Sequence, residues 1–86
     1  MSYSISIKRT AQKDIASLHP SVRQAVDQCI LSLADEPRPV GATPLKGEWR
    51  GYWRVRVGEC RVIYTVDRKA QVVVIAAVGP RERIYG

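Results

Sequence analysis

Three arginines stand close together in the stretch GYWRVRVGECRVIY, which runs from Gly51 to Tyr64. Successive side chains of a β-strand point to opposite faces, so Arg54 and Arg56 share one face at a spacing of about 6.6 Å. That spacing is near the separation of successive phosphates in an extended single strand of nucleic acid. Arg61 follows two residues after a tight turn and can join the pair from the next strand. The predicted chemistry is the binding of a polyanion by fixed positive charges.

The positive charge is concentrated in the second half of the chain. Residues 1–45 hold five basic and four acidic side chains, whereas residues 46–86 hold nine basic and four acidic ones. RNA, DNA or an acidic protein segment would therefore dock on the second half. The alternative is an ordinary solvated strand face whose arginines pair with Glu48, Glu59 and Glu82. Clustering of like charges weakens this alternative, because it opposes folding by a few tenths of a kcal/mol per exposed pair.

Length and composition predict one folded domain over residues 1–86. The sequence has no apolar run long enough for a membrane span or a signal peptide, so we expect a cytoplasmic protein. Cys29 and Cys60 lie within apolar patterns, which predicts two reduced, buried thiols rather than a disulfide or metal ligands. We therefore expect no metal and no other cofactor.

The N-terminal half predicts one strand and two helices. The segment YSISIK, residues 3–8, alternates with the period of a strand. Thr10 is predicted to cap a short helix that ends at Pro20, and a second helix begins at Ser21 and stops at the segment DEPRP. The apolar positions with helical spacing are Ala11, Ile15 and Leu18 in the first helix and Val22, Val26, Cys29, Ile30 and Leu33 in the second.

The C-terminal half predicts three more strands. Proline and glycine are frequent in residues 37–51, which therefore read as a connecting loop. Strand-like runs follow at residues 52–57, 60–66 and 71–78, with the turn segments GE and DRKA between them. The order β, α, α, β, β, β predicts an α+β fold, in which the N-terminal strand and a helical hairpin pack on a mainly antiparallel four-stranded sheet.

The ordered motifs resemble the RelE side of the RelE/ParE superfamily of toxin–antitoxin toxins. The segments PLKGEWRGYWRVRVGECRVIYTV and VVVIAAVGPRERIY carry this resemblance, with R-x-R-x-G-x-x-R-x-x-Y in the first and G-x-R-x-x-x-Y in the second. The resemblance implies the RelE-like microbial RNase-type fold. It also implies a ribosome-dependent endoribonuclease that cuts mRNA in the A site of the 70S ribosome and inhibits translation. The implied partner is a RelB-like antitoxin, bound in a higher-order complex.

The resemblance also assigns roles to individual residues. RNA cleavage by the adjacent 2′-hydroxyl needs a base, positive charge at the phosphorane and a donor for the leaving 5′-oxygen. Tyr85 is the expected base, because nearby cations would favour its phenolate. Arg81, by its place in the motif, is expected to stabilise the transition state. The expected catalytic residues are Arg54, Arg56, Arg61, Arg81 and Tyr85, and the expected RNA-binding residues are Lys46, Arg50 and Arg83.

The chain departs from the family pattern at several positions. RelE-like members often have lysine where this chain has Arg54 and Arg56, and arginine stays protonated, which moves the base role to Tyr85. A related branch has glutamate and histidine where this chain has Thr43 and Ile84, so that acid–base pair is absent. The one histidine, His19, lies at the helix junction, where we expect a structural or solvated role.

Two other functions remain open from the sequence. A ParE-like inhibitor of DNA gyrase would share the fold, and a basic RNA-binding module would share the charge without catalysis. The tail GPRERIY and the paired arginines favour the nuclease. In either toxin, an acidic or amphipathic antitoxin segment could cover the basic face.

Overall fold

The computed structural model describes residues 2–80 as a five-stranded sheet with two helices on one face. The sheet order is β1-β5-β4-β3-β2; β1 lies parallel to β5, and the other neighbours are antiparallel. None of the helices within residues 2–80 is long and apolar enough to cross a membrane. The elements are β1 (Ser4–Ile7), α1 (Arg9–Ala16), α2 (Pro20–Ser32), β2 (Thr43–Pro44), β3 (Trp53–Val57), β4 (Cys60–Asp67) and β5 (Val72–Pro80), with a 3-10 turn at Gly47–Trp49.

This architecture confirms the predicted α+β fold class, with one strand more than the predicted four. The additional strand is β2, whose Thr43 and Pro44 pair with Arg54 and Trp53 of β3. Two residues are too few to show strand alternation, and the surrounding prolines and glycines predict a loop. The pairing matters because it brings the chain that follows β2 back towards the sheet.

Helix α1 begins earlier than predicted. Its N-cap is Lys8, which makes no side-chain capping bond. The prediction that Thr10 caps the helix is wrong, because the Thr10 hydroxyl instead donates to the Ala76 carbonyl of β5 over 3.4 Å. Asp14 of the same helix accepts a hydrogen bond from the Val78 N–H over 3.2 Å. Side chains of α1 therefore complete the edge of β5 beyond the point where β1 ends.

Helix α2 begins at Pro20, one residue before the predicted start. Proline suits the first helical position, because its missing N–H would have no helical partner there. The exposed His19 is the N-cap, and its Nδ1 accepts a hydrogen bond from the Ser21 N–H over 3.3 Å. The structural role expected for the histidine is this capping bond.

The main core lies between the helices and the face of the sheet that we call the inner face. Five of the eight helical positions predicted as apolar are buried there: Ala11, Ile15, Val26, Ile30 and Leu33. Strand side chains from the inner face complete this core: Val55, Cys60, Val62, Tyr64, Val73, Ile75 and Val78.

The opposite face of the sheet, here called the outer face, carries a second and smaller apolar cluster. A β-bulge places Ile63 opposite Ala77 and Tyr64 opposite Ile75, so that Ala76 is the extra residue. Ala76 and Ala77 both contact this outer cluster. The cluster consists of Leu45, Ile63 and Ala76, with Trp49, Tyr52 and Ala77 packed against them.

Candidate nucleic-acid interface

The hairpin of β3 and β4 brings three predicted site arginines together on the outer face. Arg56 lies directly opposite Arg61, and Arg54 lies opposite Ile63 of the outer cluster. The connecting turn needs a positive φ at its first residue, and Gly58 adopts φ 59° there. The turn therefore fixes the register that sets the two arginines side by side.

The three arginines differ in exposure. Arg56 is exposed and Arg54 is half-buried, whereas Arg61 retains only 9% of its exposure. Arg61 lies on the central strand β4, between Arg56 on β3 and Gly79 on β5. It therefore forms part of the floor of the basic surface, while Arg56 projects from it.

The two arginines of β3 remain available to a ligand. Within residues 2–80, no ion pair joins Arg54 or Arg56 to a carboxylate, including those of Glu48 and Glu59. The alternative of a strand face neutralised by these two glutamates is therefore not what the described part of the chain adopts. An anion would meet two guanidinium groups without first displacing a carboxylate.

The predicted RNA-binding residues Lys46 and Arg50 line one groove. Both side chains are exposed, and the groove has a volume of about 370 Å³ between Leu45, Gly47 and these two residues. Leu45 is buried against Ile63 in the outer cluster, which anchors the groove to the outer face. Lys46 and Arg50 are thus brought to the same side of the sheet as Arg54 and Arg56.

The segment between β2 and β3 folds over the outer face, which the sequence did not predict. The rings of Trp49 and Tyr52 meet edge to face, with centroids 5.2 Å apart and an interplanar angle of 89°. Leu45 N–H donates to the Tyr52 carbonyl over 2.9 Å, closing the segment into a short loop. The basic surface therefore borders an aromatic one.

Lys8 is a further cation of the outer face, and the sequence did not predict it as a site residue. Its Nζ lies 5.9 Å from the centroid of the Tyr52 ring, although Lys8 follows the first strand of the chain. Ser4 and Ser6 are exposed while Ile5 and Ile7 contact the core, so the same alternation places Lys8 on the outer face. Only the parallel pairing of β1 with β5 brings that face into the same sheet as the arginines.

Tyr64, the tyrosine of the first motif, has a structural role. It is fully buried on the inner face, and its hydroxyl donates to the Pro37 carbonyl over 2.6 Å. Burial, with a smaller contribution from Cys29, raises the pKa of Tyr64 to about 12. A phenol that is buried, protonated and directed away from the arginines cannot act on a ligand of the outer face.

The remaining predicted site residues, Arg81, Arg83 and Tyr85, lie outside the described residues.

Both cysteines are free: Cys60 is buried as predicted, whereas Cys29 is only half-buried, and burial raises the pKa of the Cys29 thiol. Residues 2–80 contain no group of three or more His, Cys, Asp or Glu that could hold a metal ion.

The fold and motifs agree with a known class of small toxins. A family model described as the ParE toxin of type II toxin–antitoxin system, parDE, matches residues 5–85. The chain belongs to this RelE/ParE family of toxins from toxin–antitoxin systems. It is 35% identical over 86 residues to the Toxin RelG of Mycobacterium tuberculosis, covering 99% of this chain and 98% of that protein.

Solved structures of toxin–antitoxin complexes share the fold. The toxin–antitoxin complex RelBE2 from Mycobacterium tuberculosis contains a chain with a TM-score of 0.85 and 30% identity, covering 94% of this chain and 93% of its own. The archaeal RelE–RelB complex from Pyrococcus horikoshii contains one with a TM-score of 0.82 and 30% identity, covering 98% of this chain and 100% of its own. The similarity thus extends over nearly the whole molecule.

Proposed function

We propose that this toxin is a ribosome-dependent endoribonuclease that cleaves mRNA in the ribosomal A site. The proposal rests above all on the outer-face cluster, in which Arg56 lies opposite Arg61 and neighbours Arg54. A phosphodiester bound there would meet guanidinium groups that share one face of the sheet, which suits a phosphate whose charge increases in the transition state. The similarity to Toxin RelG supports the same branch of the family.

In the proposed reaction, the 2′-oxygen of one nucleotide attacks the adjacent phosphorus. Tyr85 accepts the 2′-hydroxyl proton as a phenolate, the bond from phosphorus to O2′ forms, and the bond to O5′ breaks. The leaving 5′-oxygen takes up a proton from water, so the products are a 2′,3′-cyclic phosphate and a free 5′-hydroxyl. Arg54, Arg56 and Arg61 hold the phosphate, and Arg81 stabilises the phosphorane.

Dependence on the ribosome follows from the shape of the surface. The Lys46 and Arg50 groove, with a volume of about 370 Å³, is partly open to solvent. Phosphate contacts alone do not align a 2′-oxygen with the leaving 5′-oxygen. A ribosome that holds the message in a fixed conformation would supply this alignment, which can lower the barrier by several kcal/mol.

The proposed partner that silences the toxin is a RelB-like antitoxin, in a higher-order complex. The Mycobacterium tuberculosis and Pyrococcus horikoshii structures are both described as complexes of this kind. An acidic or amphipathic antitoxin segment would meet Arg54 and Arg56, which form no ion pair within residues 2–80. Covering these arginines would block the proposed site directly.

A ParE-like inhibitor of DNA gyrase is the second candidate, because the matching family model carries the ParE description. The two activities separate in parallel assays with the same purified toxin: primer extension on message in a translation extract, and supercoiling of plasmid by gyrase. Cut message with normal supercoiling supports the proposal. Intact message with lost supercoiling would replace it by gyrase inhibition.

Tyr85→Phe separates the nuclease from a non-catalytic RNA-binding module. Removing only the phenolic oxygen should abolish cleavage while ribosome binding is retained. A toxin that arrests translation equally well with Phe at this position acts by binding alone. Tyr3→Phe is the matched control, since Tyr3 packs against the inner core.

A further inference from the structure

Lys8 adds a cation to the outer face beside Tyr52, a β3 position that carries no charge of its own. Tyr52, Arg54 and Arg56 follow one another on this face, about 6.6 Å apart at two residues per step. The first of these positions carries a neutral aromatic ring. The Lys8 ammonium lies 5.9 Å from the centroid of this ring. A third positive charge is thus held beside the β3 position that precedes Arg54 on this face.

The surroundings of Lys8 hold this ammonium across the sheet. Its backbone N–H donates to the Ile75 carbonyl over 3.0 Å, which fixes the start of the side chain beside β5. The bulge residues Ala76 and Ala77 are small, and both contact the outer cluster that contains Tyr52. A long side chain can therefore pass over them and reach the ring. Trp49 contacts the same ring edge to face.

Lys8 contributes little to the stability of the fold. It is exposed, and as the N-cap of α1 it makes no side-chain capping bond. No ion pair within the described residues involves it. A cation held over an aromatic ring at an exposed site contributes about 0.5–1 kcal/mol, so the contact directs the ammonium more than it stabilises the protein.

We infer that Lys8, directed by the Tyr52 ring, is a phosphate-binding residue of the toxin and contacts the polynucleotide beside the phosphate bound at Arg54. The inference rests on the proposed nuclease function for its ligand, a single-stranded polynucleotide. Lys8 is a binding residue rather than a catalytic one, since the reacting phosphate lies with the arginines. Tyr52 is its positioning residue.

The test compares Lys8→Gln with Lys69→Gln, which removes the same charge from an exposed turn at the other end of β4. Initiation complexes of 70S ribosomes with a short message are titrated with toxin at several KCl concentrations, and KM and kcat of cleavage are measured. Lys8→Gln should raise KM about fivefold with kcat nearly unchanged, and should lower the slope of log(kcat/KM) against log[KCl] by about 0.7, as expected for one lost phosphate contact on a single strand. Lys8→Arg should restore both values, and Lys69→Gln should alter neither.

The role of the ring is tested separately. Tyr52→Leu should raise KM as Lys8→Gln does, and the double variant should be no worse than either single one, because both remove the same contact. Tyr52→Phe keeps the ring and should behave as wild type. Thermal unfolding confirms that each variant is folded before it is compared.

The outcomes separate this inference from the proposed function. If wild type cleaves and Lys8→Gln matches Lys69→Gln, the Lys8 inference is wrong and the nuclease proposal stands. If wild type does not cleave, the nuclease proposal is wrong. Binding of a short fluorescein-labelled RNA oligonucleotide then decides the inference: about fivefold weaker binding by Lys8→Gln supports it, and equal binding by the two variants overturns it.

Discussion

The two faces of the sheet are built by the same strands but differ in burial and charge. The inner face is continuous, with Val62, Tyr64 and Val73 fully buried under two helices. The outer face is divided between a small apolar cluster and a group of arginines. Its chemistry therefore depends on segments that fold over it from elsewhere, such as the loop that carries Trp49 and the lysine that follows β1.

This difference indicates which residues can be substituted without changing the free energy of unfolding. A side chain on the inner face has neighbours on every side, so its loss leaves a cavity. Arg54 and Arg56 have no carboxylate partner in the described part of the chain, so their loss breaks no ion pair. Substitutions on the inner face should therefore change the free energy of unfolding, and those on the outer face should change activity.

The largest expected effect is on the inner face. Leu33→Ala should lower the free energy of unfolding by about 2–5 kcal/mol, because Leu33 is fully buried in the main core. Urea denaturation followed by circular dichroism measures this change. Leu31→Ala is the matched control: Leu31 is 67% exposed, so the same truncation should cost less than about 0.5 kcal/mol. Similar losses for both leucines would contradict the assignment of Leu33 to the main core.

On the outer face, Arg54→Gln and Arg56→Gln should each reduce message cleavage about 100-fold or more, as expected for a lost donor to a charged transition state. Both should leave the free energy of unfolding within about 0.5 kcal/mol of wild type. Arg68→Gln, in the exposed β4–β5 turn, is the control for charge removal. Full cleavage by both variants would exclude the two arginines from the site.

Tyr64→Phe tests whether the motif tyrosine belongs to the inner face. The change removes the hydrogen bond to the Pro37 carbonyl and should lower the free energy of unfolding by about 1 kcal/mol. Cleavage at neutral pH should stay near the wild-type rate. A loss of cleavage in folded protein would instead give Tyr64 a direct part in the reaction.

The same residue predicts a pH dependence. Its folded-state pKa is about 12, above the unfolded value of about 10, so the folded state holds the phenolic proton more tightly. The resulting stabilisation is complete below about pH 10 and is lost as the pH rises towards 12. Wild type should therefore lose more stability than Tyr64→Phe across this interval, measured by urea denaturation at each pH. Parallel curves would show that the phenol does not contribute.

The smallest expected effect concerns the loop after α2. The Arg38 guanidinium carbon lies 5.4 Å from the centroid of the Trp53 ring. Arg38→Gln should lower the free energy of unfolding by about 0.5–1 kcal/mol, and Arg38→Lys by less, because lysine retains the positive charge. Cleavage by either variant should stay at the wild-type rate. A loss of cleavage with stability unchanged would place Arg38 in the RNA-binding surface.

The sequence predicted what depends on local periodicity. The alternation of Arg54, Val55 and Arg56 identified both faces of β3, because a strand between core and solvent must alternate. The two-residue turn at Gly58 and Glu59 predicted that Arg61 would join the arginines of β3, because a turn of this length fixes how the two strands pair. The apolar spacing of α2 likewise identified Val26 and Ile30 as core residues.

Features that depend on distant contacts were missed. Thr10 looked like a helix cap because its partner, the Ala76 carbonyl, belongs to the last strand. The sequence places Lys8 in the N-terminal half, which carries little net charge. Only the pairing of β1 with β5 brings it onto the same sheet as the arginines. Lys46 and Arg50 were predicted to bind RNA, but no local pattern indicated that Leu45 would pack on the outer face and position their loop there.

The two-residue length of β2 has a consequence for solubility. Beyond Trp53 and Arg54, β3 has no further partner from β2, so the backbone of Val55–Val57 forms part of an open sheet edge among the described residues. Charged side chains on such an edge deter a second molecule from adding its own strand. Replacing Arg56 by an apolar residue would thus create a protein prone to self-association, whereas glutamine or glutamate at this position would keep it dispersed.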